Sequence, residues 1–154
     1  MKKLLMLLLC AALCAAVLPA RADEAFLALT GLDELQRLLD GGAVIERVYY
    51  TDGYGFSTSE FATDQPEEIA ALYEALTAMT LGGKVNEDIT DWYPQIVFFL
   101  PDGSHYNVCF DAHWLEIGGM NHYTVFHDEA FWCLTAGLVE KYSQTNQPYQ
   151  QREE

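Results

Sequence analysis

Positive charge is what this chain has least of. Eight Lys and Arg stand against 23 Asp and Glu in 154 residues, a formal charge of −15. So acidic a surface repels phosphate backbones and anionic lipids before any contact forms, which argues against nucleic acid as a partner. Cysteine is scarce too, with four residues and no Cys-x-x-Cys pair. A Gly-rich phosphate loop, a Gly-x-Ser-x-Gly elbow and a His-Glu-x-x-His helix are also missing, which removes the enzyme classes those motifs define. No apolar run reaches the roughly 20 residues a membrane-spanning helix needs, and no internal repeat of fixed period is found.

What is present begins with an address. Lys2 and Lys3, the apolar run Leu4 to Val17, Pro19 and Ala20-Arg21-Ala22 have the three-part pattern of a secretory signal peptide, with cleavage expected after Ala22. The expectation is a secreted, extracytoplasmic protein with no stable membrane anchor after cleavage. Leu9 before Cys10 and Leu13 before Cys14 are not the small residues that precede a lipid-modified Cys. Loss of residues 1–22 would remove Lys2, Lys3 and Arg21 and no acid, shifting the formal charge from −15 to −18. The remainder reads as a single domain over 23–142, with 143–154 (SQTNQPYQQREE from Ser143) a disordered polar tail. Cys109 and Cys133 would be the only cysteines left, a candidate disulfide in an oxidising compartment.

Periodicity orders the domain. Thr30 resembles an N-cap for a short helix carrying Leu32, Leu35, Leu38 and Leu39, ended by Gly41-Gly42. Val44 to Tyr50, Asp52-Gly53 and Tyr54 to Ser59 suggest a β-hairpin toward a sheet edge. Asp64-Gln65-Pro66-Glu67 opens a helix whose stripe is Ile69, Leu72, Tyr73, Leu76 and Met79, with Gly82-Gly83 as its expected stop. Ile96 to Leu100 is apolar throughout and reads as a strand covered on both faces. Pro101-Asp102-Gly103 then predicts a turn that sets Phe98 beside Tyr106 and Ile96 beside Val108. Trp114 to Ile117 and His122 to Phe126 complete a four-strand meander. A last helix runs from an Asp128 cap through Tyr142 on the stripe Phe131, Leu134, Leu138 and Tyr142, with Cys133 well off that stripe. The fold class is therefore α+β, a mostly antiparallel sheet made of a hairpin and a four-strand meander, with two to three helices packed against it.

Two residue sets could carry function. His105, Asn107, Cys109, Asp111 and, if the strand continues, His113 alternate along one strand and share a face. With His122, the residues His105, Asp111 and His113 make a candidate metal set, because imidazole and carboxylate are the ligands of a metal-binding protein or a metal-dependent hydrolase. Their spacing lacks the tight His-x-x-x-His pattern, and Cys109 has no Lys or Arg near it in sequence to activate a thiolate. The second set is aromatic: Tyr54, Phe56, Trp92, Tyr93 and Trp114 at loop ends could form a platform for a protein, peptide or glycan. The balance favours a secreted, acidic, non-catalytic binding domain that needs no cofactor.

One likeness adds to this. The order of the Pro101-Asp102-Gly103 hairpin, a short strand ending in Ile117-Gly118-Gly119, the Tyr123 strand and a C-terminal helix resembles small exported or lipoprotein-type bacterial domains of unknown function. The resemblance implies a fold and a location. It transfers no catalytic residue, and the missing lipobox departs from the lipid-anchored members.

Overall fold

A computed structural model describes residues 23–53, 59–86, 92–118 and 121–143. Residues 1–22, where the signal segment is expected, 54–58 with Tyr54 and Phe56, 87–91 of the acidic loop, 119–120 and the tail from 144 lie outside the described residues. The elements are α1 (Glu24–Thr30), α2 (Leu32–Asp40), β1 (Arg47–Thr51), β2 (Glu60–Thr63), α3 (Pro66–Thr77), β3 (Thr80–Val85), β4 (Gln95–Phe99), β5 (His105–Asp111), β6 (Trp114–Ile117), β7 (Asn121–Phe126) and α4 (Glu129–Ser143). All strand pairs are antiparallel, in one seven-stranded sheet of order β2-β1-β4-β5-β6-β7-β3. The α+β class and the meander are thus as expected from the sequence.

The sheet is built outward from the β4–β5 hairpin. Leu100 N–H donates to Ser104 O at 2.9 Å and Gly103 takes φ +84°, which closes the Pro101-Asp102-Gly103 turn in the expected register. Phe98 then faces Tyr106 and Ile96 faces Val108 across the pair. Period-2 alternation carries Val48, Tyr50, Phe61, Ile96, Phe98, Val108, Phe110 and Leu115 to one inner face, where all are buried. The helices cover that face. From α3, Tyr73 meets Phe98 edge-on at 5.6 Å; from α4, Phe131 lies 5.8 Å from Phe110, and Tyr142 stacks on Phe61 at 6.0 Å. Among the described residues no helix is long and apolar enough to cross a membrane.

Three local expectations change. The apolar lead-in before Thr30 is itself a helix, α1, capped by Asp23, whose Oδ1 accepts from Ala25 N–H at 2.9 Å. Thr30 is not an N-cap, since it closes α1 by donating its hydroxyl to Phe26 O at 2.8 Å. Gly31, at φ +74°, separates α1 from α2 in a conformation that costs any residue with a Cβ. Second, α3 starts after Gln65 with no side-chain cap bond, so Asp64 is not its cap. Third, Gly82-Gly83 does not stop a helix; α3 ends at Thr77 and both glycines lie in β3. That strand pairs with β7 across a bulge between Leu81 and Lys84, and a Cβ on Gly82 would sit 2.0 Å from Thr124 Oγ1 and 2.8 Å from Thr124 O.

One polar cluster ties three elements together. Glu68 of α3 accepts from Thr63 of β2 and from Lys141 of α4, and Tyr142 OH donates to its Oε2 at 2.9 Å. Burial alone would raise the Glu68 carboxyl, but the bonds from Lys141, Thr63 and Tyr142 outweigh it and hold the group below its ordinary range.

Two predictions follow from these contacts. Gly82→Ala is expected to cost about 1–3 kcal/mol in urea denaturation because the added methyl must displace Thr124, whereas Gly83→Ala, with open space at its Cβ, costs under about 1 kcal/mol. A carboxyl lowered in the folded state stabilises above its unfolded pKa and loses that contribution as pH falls through the folded value. Glu68→Gln should therefore cost about 1–2 kcal/mol at neutral pH, with the difference from wild type shrinking as the pH falls below the ordinary carboxylate range.

Candidate functional site

β5 is the middle strand of the sheet and carries most of the chemistry-bearing side chains. Its even-numbered residues face the helices and its odd-numbered ones, His105, Asn107, Cys109 and Asp111, face the outer side. Pairing extends this row sideways, Gln95 beside Cys109, Cys109 beside Glu116, and Glu116 beside His122.

Of the expected metal set, the structure brings two members together. His122 Nε2 lies 3.4 Å from Asp111 Oδ2, reaching diagonally across β6, with side-chain exposures of 7% and 0%. Trp114 flanks the pair, its ring 6.4 Å from that of His122. His105 is at the other end of β5, about 20 Å from Asp111 at the usual strand rise, and its ring lies 5.9 Å from Phe99. His113 sits in the β5–β6 turn between Trp92, at 4.9 Å, and Trp132, at 5.0 Å. A zinc site takes at least three protein ligands, and no group of three His, Cys, Asp or Glu able to hold a metal forms among the described residues. The set His105, Asp111, His113 and His122 is thereby reduced to one buried acid–imidazole pair.

The aromatic set is likewise divided. Trp92 packs on His113 and, at 6.0 Å, on Trp132 of α4, so it belongs to the helix side, while Trp114 lies on the outer side with His122. Tyr93 is half-buried beside Trp92. Trp132 contacts Phe110 and Phe131 and donates its indole N–H to Asp128 Oδ2 at 2.5 Å. The excess of aromatic residues is therefore largely spent on closing this end of the core.

The candidate disulfide does not form. Cys109 and Cys133 are both free thiols, because Cys109 is on the outer face while Cys133 is exposed on α4, a helix that covers the inner one. Burial and the neighbouring Glu116 carboxylate push the Cys109 thiol up, against a weaker opposing contact from Asn107 Nδ2 at 3.4 Å. A thiol held protonated is a poor nucleophile.

One opening among the described residues was not among the expected sites. β5 pairs with β4 along His105 to Cys109, yet with β6 only from Cys109 to Asp111, because β6 is four residues long and ends at Ile117. Where the two strands part lies a cavity of about 240 Å³. Its walls are apolar on the helix side, from Leu29, Val108, Leu115 and Ile117, and polar on the outer side, from Asn107, Cys109 and Glu116. Since residues of both faces line it, the cavity passes into the plane of the sheet. No Lys or Arg borders it, and Glu116 has no hydrogen-bond or salt-bridge partner among the described residues. The signal for this cleft was in the sequence as a length mismatch: a four-residue strand cannot pair with all of a seven-residue neighbour.

Thiol titration of the folded protein should find both cysteines reactive and unbonded, with exposed Cys133 modified at least about tenfold faster than Cys109, whose thiolate fraction is suppressed.

Comparison of the chain with protein-family models, with curated proteins and with solved structures returns no match. The functional reading therefore stands on geometry.

Proposed function

We propose that the chain is an exported, acidic, non-catalytic binding domain whose ligand enters the cleft between β5 and β6. The observation that carries this reading is the cavity itself, about 240 Å³ with an apolar wall and one carboxylate, Glu116, that has no partner among the described residues. Such a site suits a ligand with an aliphatic segment and a positive charge, because the segment is desolvated against Leu115 and Ile117 while the charge offsets that of Glu116. The overall charge of −15 favours the approach of cations. A non-catalytic role fits the chemistry, since the Cys109 thiol is held protonated and the buried His122–Asp111 pair has no third metal ligand beside it among the described residues. The test is titration with n-hexylamine and with hexanoate, followed by amide shifts in ¹H–¹⁵N spectra. Hexylamine is expected to move the amides of Thr30, Cys109, Glu116 and Gly118, hexanoate is not, and Ile117→Trp, which fills the cavity, should abolish the response. Shifts confined to Trp92, Tyr93 and Trp114, or none at all, would overturn the reading.

A further inference from the structure

We infer that the cleft is a modification site, in which Cys109 forms a mixed disulfide with a short aliphatic disulfide that carries a positive charge, and Glu116 selects that charge. This rests on the cleft being the binding site and names the class of ligand it takes.

Three polar residues of the cavity converge on one sulfur. Cys109 and Glu116 stand directly opposite each other on β5 and β6, which sets their Cβ atoms about 5 Å apart, and both line the cavity. Asn107, the third, brings Nδ2 to 3.4 Å from Cys109 Sγ. The thiol is unbonded and only part-buried, so a reagent in the cavity can reach it. No Lys or Arg borders the cavity to balance Glu116. His122 stands opposite Glu116 on the other side, but its Nε2 lies 3.4 Å from Asp111 and is engaged there.

These neighbours make the reactivity of Cys109 conditional on its ligand. Burial and the Glu116 carboxylate hold the thiol above its ordinary range. An ammonium beside Glu116 offsets that carboxylate and brings positive charge close to Sγ, the condition under which a thiolate forms. The Asn107 amide is then placed to donate to the thiolate. A neutral or anionic reagent leaves the carboxylate unopposed. Because Cys109 and Glu116 are direct cross-strand neighbours, a short spacer between ammonium and sulfur is favoured.

The exchange needs nothing beyond the two reactants. The Cys109 thiolate attacks one sulfur of the ligand, the new S–S bond forms as the ligand's own S–S bond breaks, and the departing thiolate takes up the proton that Cys109 released. The ligand disulfide is the oxidant. Its aliphatic half stays on Cys109, where the apolar wall of Leu115 and Ile117 can desolvate it.

The test is thiol–disulfide exchange in the full chain, followed at Cys109 and Cys133 by site-resolved mass spectrometry. The probes are disulfides of matched length: cystamine, which is cationic, hydroxyethyl disulfide, which is neutral, and dithiodipropionate, which is anionic. Exposed Cys133 is the internal reference, since it shares the overall charge of −15 but does not line the cavity. Relative to Cys133, the rate at Cys109 is expected to rise at least about tenfold from dithiodipropionate to cystamine, with the neutral reagent between them. Glu116→Gln should narrow that ratio to within about twofold while speeding the neutral reagent at Cys109. Ile117→Trp should slow cystamine at Cys109 and leave Cys133 unchanged. Equal ratios for all the reagents, in a protein whose Glu116 amide still responds to hexylamine, would overturn the inference and leave the cleft reading intact. A charge preference that persists in Glu116→Gln would also overturn it, by assigning selection to the general acidity of the surface. Equal ratios with no hexylamine response would overturn both.

Discussion

The pairing register of β4 with β5 is the constraint from which the other features descend. A slip of one residue would exchange the faces of every side chain on β5, putting Val108 and Phe110 outside and Cys109 and Asp111 under the helices. The turn from Leu100 to Ser104 prevents that slip by fixing which residues face each other. Once Phe98 lies opposite Tyr106, the inner face is set for Tyr73 and Phe131 to pack on. Core and outer-face chemistry are two results of one alignment.

Polar groups are then handled in two contrasting ways. Glu68 is satisfied by three donors from two other elements and works as a clamp between β2, α3 and α4. Asp111 and His122 lie 3.4 Å apart beside Trp114, at a site where an unpaired charge would be costly. Glu116, only one strand away from Cys109, receives no such partner among the described residues. Among the described residues the other part-buried acids are bonded, and that difference sets the cleft apart from the rest of the outer face.

Much of this architecture could be read from the sequence, and the parts that could not share a cause. Ile96 to Leu100, the Pro101-Asp102-Gly103 turn and Trp114 to Ile117 are encoded by neighbours in the chain, through alternation and turn chemistry. β3 is not. Thr80 to Val85 carries two glycines that normally punctuate, and it is a strand because β7 offers a bulged edge on which only Gly82 fits against Thr124. α1 escaped notice because seven residues are too few to show a period and its Asp23 cap borders the expected cleavage point. Among site residues, the Asp111–His122 contact joins strands that are not neighbours in the sheet, a relation that alternation within β5 does not contain. His105 and Asp111 share a face in sequence logic but are separated by the length of the strand.

Asp23 has a second role besides capping α1. Its other oxygen, Oδ2, accepts the N–H of Leu81 at 2.9 Å, on a strand that forms one border of the sheet. A border strand is where one molecule can recruit the next into a growing stack. By occupying that donor, Asp23 leaves a strand at the border of the sheet with one fewer open N–H for another strand to pair with.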